Sequence, residues 1–286
     1  LISTESFTHN RRQFDKARRT GERVVLWLIL LTVSVLTVIP VLWMFSGAVR
    51  TRKEAYALKL IPDNPTFENF RQVFSNVPFA RYMLNSLFVS ITVTVIALFF
   101  HSMAGYALAR LRFPGRELIF SFIFSTLLVS LPVILVPLFI LVRELGLLNS
   151  YAGLIVPSIF HAFGIFLLRQ FYLGIPRELE EAAIVDGAGY WRVYLNVILP
   201  LSRPILAALA VFFFLANWNS FLWPLTITTD RDLFVVQIGI ASFRQQYASS
   251  QQLVMAASVI VAVPTMLLFI LFQRQLVESI KTSGFK

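Results

Sequence analysis

Apolar residues in this chain run in long unbroken blocks separated by short polar stretches, instead of recurring as an amphipathic stripe. About 20 apolar residues in helical form cross a bilayer core of roughly 30 Å. Six blocks qualify: Val24–Ser46, Met83–Ala109, Leu118–Val142, Tyr151–Leu168, Pro204–Thr226 and Leu253–Phe272. None of them contains Asp, Glu, Lys or Arg. The pattern predicts an all-α integral membrane protein with six transmembrane helices, because a helix satisfies its backbone polar groups internally. Pro40, Pro132, Pro137, Pro157, Pro224 and Pro264 fall inside these spans. They predict kinked helices packed as a bundle around a cavity, with neighbours taking the freed carbonyls, or at any one position ordinary helix packing.

Composition supports lipid as the solvent. The chain is 57% hydrophobic and 14% charged, whereas soluble domains carry about a quarter charged residues. A formal net charge of +10 would suggest nucleic acid in a soluble protein. Here the basic residues flank apolar blocks, which favours a membrane-facing explanation and no nucleic-acid partner. The absence of cysteine excludes disulfides, thiolate nucleophiles and cysteine metal sites, and leaves the redox compartment open.

The first block follows a basic lead (Arg11, Arg12, Lys16, Arg18, Arg19, Arg23), as a signal peptide would. Its apolar run is longer than a typical signal core, and no A-x-A cleavage site follows, so it reads as the first span. With the N-terminus inside, sixteen Lys and Arg fall in cytoplasmic segments against nine outside. The positive-inside rule then places both termini in the cytoplasm. The organisation expected is a basic N-terminal segment (1–23), the first helix (24–46), an extracytoplasmic loop (47–82), a transmembrane core (83–275) and a cytoplasmic tail (276–286). In the outer loop, Pro62-Asp63-Asn64-Pro65 is a turn signature, and Phe67–Phe74 predicts a short helix capped by Thr66. Thr66 and Asn69 are read as structural.

The most informative stretch lies between spans 4 and 5, Ile175–Pro200. Pro176 followed by Glu178, Glu180 and Glu181 is the grammar of a helix start, where negative charge suits the positive end of the dipole. Gly187 and Gly189 supply permissive backbone for a turn. Tyr190–Val197 predicts a second helix, stopped by Pro200. Leu179, Ala182, Ala183 and Asp186 share one face by helical spacing. Two alanines there would let another backbone approach closely, beside acidic partners for a basic cleft. A plain interfacial amphipathic helix is the alternative on physics alone.

Glu181-Ala182-Ala183, followed after three residues by Gly187 and after eleven more by Leu199-Pro200, resembles the EAA motif of binding-protein-dependent ABC importer permeases. Val197 stands where that family commonly has Ile. Asn85-Ser86, Gly105–Gly115, Leu145–Ser150 and Asn217–Pro224 are similar to the second permease subunit of maltose-type carbohydrate importers. The resemblance implies six helices of the ABC importer permease type, with cytoplasmic coupling helices between spans 4 and 5. It also implies partners: two ATPase subunits, a second homologous permease subunit in a heterodimer, and an extracytoplasmic solute-binding protein. The setting implied is the plasma membrane of a bacterium or archaeon. Glu181 would be a charge partner for the ATPase, Ala182 and Ala183 close-packing residues, Gly187 the turn, and Asp186 a contact or a local cap. Thr282–Lys286 would approach the ATPase as well.

The chain is not expected to be an enzyme. It has no G-x-x-x-x-G-K-[S/T] phosphate loop, so ATP and Mg belong to the partner ATPase and no cofactor or metal is expected here. It also lacks H-E-x-x-H and any metal-spaced histidine cluster. Ion-coupled carriers generally place ionisable residues inside the membrane; among these spans only His101 and His161 could titrate, and both read more simply as packing residues. An ion-coupled secondary transporter stays the alternative. For the translocation path, Asn217, Trp218 and Asn219 combine two amides with an indole, which can hydrogen-bond hydroxyls and stack on a sugar face. Interhelical hydrogen bonding and interfacial anchoring are the alternative roles.

Overall fold

A computed structural model describes the backbone of residues 4–283 and the side chains of residues 23–273. The basic segment 1–22 and the tail Thr282–Lys286 lie outside the described side chains. Described residues that are not loop are helical: α1 (Thr4–Ala48), α2 (Glu68–Asn76), α3 (Phe79–Arg110), α4 (Arg116–Ser125), α5 (Leu131–Glu144), α6 (Tyr151–Ile159) and α7 (Ala162–Leu173), then α8 (Glu178–Val185), α9 (Tyr190–Val193), α10 (Leu199–Leu201), α11 (Arg203–Trp218), α12 (Leu222–Ile227), α13 (Val236–Gln246) and α14 (Gln251–Ser283), with short 3-10 turns between some of them.

Four helical segments are long and apolar enough to cross a membrane: Arg23–Ala48, Phe79–Arg110, Tyr151–Leu173 and Gln251–Gln273. Two further candidates are bent pairs, Arg116–Leu128 with Leu131–Glu144 at 107° and Tyr190–Leu201 with Arg203–Trp218 at 75°. Near Pro132 and Pro224 the kinks expected of the span prolines take the form of helix breaks. Pro132 lies in the first turn of α5, where a missing N–H costs nothing. Pro224 has no N–H for the carbonyl of Ser220 and its ring collides there; α11 stops at Trp218 and the chain restarts as α12.

The chain divides into two compact units, residues 1–71 with 249–259, and 72–248 with 260–286. In the first unit, the apolar side chains of α1 from Val24 to Leu42 stay exposed, as a helix facing lipid requires. Arg50 organises the loop that follows: it lies over Trp43 at 4.5 Å and donates to the carbonyls of Ala57 and Lys59. Asn69 donates to the carbonyls of Ala48 and Arg50, both at 2.8 Å. Thr66 Oγ1 accepts from the Glu68 N–H at 3.2 Å, so the loop's short helix carries the cap its sequence predicts.

In the second unit α3 packs against α7, α11, α6 and α13. Gly105 permits a close approach, because a Cβ there would meet Leu168 Cβ at 2.9 Å and the Arg169 nitrogen at 3.1 Å; small residues let membrane helices approach in this way. One core gathers Ala97, Tyr106 and Ala109 of α3 with Leu168, Tyr172, Tyr194, Ile198 and Phe213. A second joins Val89 and Val93 to Val142, Leu154, Trp223 and Ile238. Buried polar groups stitch the elements together. Asn85 Nδ2 donates to the carbonyls of Asp232 and Phe234 at 2.9 Å each, and its Oδ1 accepts from Tyr151 Oη at 2.7 Å. Ser86 Oγ accepts from the Val236 N–H at 2.7 Å and so opens α13.

Candidate functional site

The segment Glu178–Leu201 forms an elbow of two helices. Three glutamates occupy the first turn of α8, favourable beside the unpaired N–H groups of a helix start. At the other end Gly187 takes φ 84°. Its N–H donates to the Ile184 carbonyl and the Ala188 N–H to the Ala183 carbonyl, both at 2.9 Å. These are the paired bonds of a Schellman stop, which needs a left-handed residue where Gly187 stands. Gly189 has φ −72°, extended backbone open to any residue; of the two glycines only Gly187 makes the turn. No side chain caps α9, so Asp186 does not cap the second helix.

That second helix also differs from expectation at its far end. It does not stop at Pro200: α9 passes into a π-helical turn, Tyr194–Ile198, then into α10. Wide i→i+5 bonding absorbs the N–H that Pro200 lacks, and the chain bends at Ser202 instead.

The small-residue face divides. Ala183 packs against the core that holds Tyr172 and Tyr194, as does Leu199. Ala182, Glu181, Asp186 and Pro200 are exposed, together with Leu179, Ile184, Val185, Tyr190 and Trp191. An exposed helix face with small and apolar residues and carboxylates at its edge thus remains, carried on a turn that the chain's own core fixes. Beside it a groove of about 520 Å³ is lined by Arg110, Arg112, Arg177, Glu180, Glu181 and Tyr190 among others.

Sequence reasoning missed Glu180. Its Oε1 lies 2.8 Å from Nε of Arg110, and both side chains are buried. Burial pushes the Glu180 carboxyl above its ordinary pKa; Arg110 and Arg177 pull it back and Glu181 adds to the rise. The signal available in the sequence was an arginine ending a long apolar helix, but nothing in spacing alone pairs it with one of three neighbouring glutamates.

The second region of interest is a cavity of about 710 Å³ lined by Thr126, Ser158, His161, Asn217, Ser220, Trp223 and apolar side chains. None of the described residues lining it is charged. It lies at three helix breaks, between α4 and α5, between α6 and α7 and between α11 and α12. Asn217 faces it, while its Nδ2 donates to the Phe213 carbonyl at 2.8 Å. Trp218 does not: it is 1% exposed, stacks on Phe214 at 5.7 Å and donates to the Val261 carbonyl at 3.3 Å. Asn219 is exposed and its Oδ1 accepts from Gln237 Nε2 at 3.2 Å. Among the described residues no cluster of His, Cys, Asp or Glu could hold a metal ion.

Membrane-length helices, helix breaks around an uncharged cavity and an exposed elbow held on a tight turn describe a polytopic membrane protein. The chain belongs to the family of binding-protein-dependent transport system inner membrane components, whose profile matches residues 101–282. It is 34% identical over 268 residues to the diacetylchitobiose uptake system permease protein NgcG of Streptomyces coelicolor, covering 92% of this chain and 87% of that one. It is 33% identical over 277 residues to the arabinooligosaccharides transport system permease protein AraQ of Halalkalibacterium halodurans, covering 94% and 99%. With the sn-glycerol-3-phosphate transport system permease protein UgpE of Escherichia coli it shares 34% identity over 249 residues, covering 84% and 89%. The fold matches a chain in the crystal structure of a bacterial ABC transporter that imports the acidic polysaccharide alginate, with a TM-score of 0.80, 22% identity and coverage of 91% and 97%. The protein is thus an integral inner-membrane permease of an ABC importer. ATP hydrolysis belongs to a separate subunit, and the family's architecture pairs permease subunits with ATPases and a solute-binding protein.

Proposed function

We propose that this permease forms one half of a heterodimer importing a neutral sugar or oligosaccharide, with both termini cytoplasmic and the α8–α9 elbow seated in a cleft of one of two ATPase subunits. The observation that carries the docking reading is the elbow itself: an exposed helix face bearing Glu181, Ala182 and Asp186, ended by a stop at Gly187 that cannot be reproduced without strain by most residues. Glu181 is the charge partner for a basic ATPase residue. Ala182 is the close-approach surface, and Ala183 and Leu199 fasten the elbow to the bundle. Closure of the ATPase pair then moves the elbow and switches the bundle between inward- and outward-facing states.

The solute class rests on the cavity and on the relatives. Phosphodiesters and acidic sugars call for fixed cations, whereas amide, hydroxyl, imidazole and indole groups serve neutral hydroxyls and sugar faces. Asn217 carries the polar contact of the path at the cavity, with Trp223 and not Trp218 as its aromatic wall, and exposed Asn219 follows it in the chain. Sugars named for the relatives above, diacetylchitobiose and arabinooligosaccharides, agree with that chemistry.

Purifying the assembly through a tag on this chain and identifying the solute its binding protein retains tests the second part; retention of a phosphorylated or acidic solute overturns it. For the first part, Gly187→Pro and Glu181→Lys should each abolish uptake of that solute and uncouple the ATPase while membrane insertion persists. Full uptake by the Gly187→Pro protein would sink the docking assignment.

A further inference from the structure

Arg110 is the last residue of α3, and its guanidinium holds two separate points of the elbow. Nε meets Glu180 Oε1 at 2.8 Å, in the first turn of α8. Nη2 donates to the carbonyl of Ile175, in the peptide that leaves α7. The Arg110 side chain is 5% exposed and that of Glu180 12%. A second arginine secures the same end of α3 to other elements. Arg169 of α7 donates from Nε to the Leu108 carbonyl at 3.2 Å and from Nη2 to both oxygens of Glu117 at 2.9 and 3.1 Å. Its guanidinium lies 3.8 Å over Phe120. The end of α3 is therefore a hub: Arg169 ties it to α4 and α7, and among the described residues Arg110 ties it by charge to α8.

α8 has eight residues, too few for a helix to persist without tertiary support. Its attachments set what it can transmit. Ala183 contacts the core through one methyl group, and a methyl in van der Waals contact resists compression but offers little against withdrawal. A partly buried ion pair resists both, because its attraction holds whichever way the helix is pulled, though less than in a dry core. We propose that the Arg110–Glu180 pair is a latch through which displacement of α8 in either direction is passed to α3, making both residues positioning residues that do not themselves touch the ATPase. This rests on reading α8 as the ATPase dock.

The chain has no cysteine, so a single one can report movement without any knowledge of the solute. Thr126→Cys places a thiol at the uncharged cavity. The readout is its labelling rate by a membrane-impermeant maleimide in the purified assembly, with and without ATP. In the parent, ATP should change that rate. Glu180→Gln and Arg110→Gln should each shrink the ATP-dependent change by about three- to thirty-fold, the range over which residues in such networks alter coupling. The double variant should be no worse than the worse single one, as residues acting through one contact are non-additive. Arg110→Lys, which keeps the cation, should fall between.

A parental response in Glu180→Gln, or losses that multiply in the double variant, overturns the latch. If Glu180→Gln does not assemble, Arg110→Lys decides by the same ratio, and loss of assembly in both assigns the pair to folding and overturns the latch as well. Gly187→Pro separates the two ideas. If it keeps the parental response, or if the parent itself shows none, the docking reading fails; if it loses the response while Glu180→Gln keeps it, only the latch fails.

Discussion

At Gly187 the backbone occupies φ 84° with nothing within 4 Å of the place a Cβ would take, so a substitution there is penalised by conformation and not by crowding. The left-handed conformation costs most L-residues about 1–2 kcal/mol, and asparagine less. Gly187→Ala should therefore loosen the stop more than Gly187→Asn, and Gly189→Ala should change nothing, since φ there is −72°. Hydrogen exchange at the amides of Gly187 and Ala188, which make the two closing bonds, reads the order directly. Equal protection in all three variants would show that the turn is held from elsewhere. Glu180 adds a pH dependence of known sign. Its carboxyl is raised in the folded protein, chiefly by burial, so the stability it contributes is complete below the unfolded carboxyl pKa and is lost as pH rises through the folded one. Thermal unfolding of the wild type, taken relative to Glu180→Gln, should fall as pH climbs above the ordinary value of 4.5; a relative rise would contradict the burial argument.

Among the elements, the prolines show most clearly how a sequence rule becomes a tertiary contact. Pro157 in α6 has no N–H for the carbonyl of Gly153, and that carbonyl accepts from the Trp223 indole at 3.1 Å. Trp223→Phe leaves a buried acceptor unpaired, which costs about 1–3 kcal/mol, and should lower the unfolding midpoint in detergent. Pro157→Ala restores the N–H, so the double variant should recover part of the loss; an additive double would deny the link. The four membrane-length helices and the turn at Gly187 were legible in the chain because hydropathy and turn chemistry are local properties. Kinks at Pro132 and Pro224 were expected too, but that they become full breaks was not, because a proline in an apolar block reads alike whether a neighbour straightens or breaks the helix. Likewise Ala182 and Ala183 look equivalent in sequence, yet only packing from Tyr172 and Tyr194 turns one inward. Trp218 and Trp223 differ for the same reason. The Asn85-Ser86 pair stood out by resemblance, while its work, bracing the start of α13 and the Tyr151 hydroxyl, needed the fold to be seen.

For the whole molecule, the decisive question is which side of the membrane the elbow occupies, and labelling from either side tests the proposed answer. Lys and Arg weight the segments expected in the cytoplasm sixteen to nine, the charge bias on which the proposed cytoplasmic side of the α8–α9 elbow rests. Within the second unit the helical pair α6–α7 is long enough to cross the bilayer, with Leu145 preceding its start and Val185 following its end. Leu145 is 61% exposed and Val185 86%, so cysteines at either site would be reachable in a chain that has none of its own. Leu145→Cys should react with an impermeant maleimide in intact spheroplasts, and Val185→Cys only after permeabilisation. Assembly with the ATPase should then protect Val185→Cys, since an aliphatic side chain so exposed on a cytoplasmic helix face is the surface a docked cleft would cover. Labelling of Val185→Cys from outside would invert the topology and remove the elbow from any ATPase. Correct sidedness without protection would keep the topology but move the dock to another face of α8.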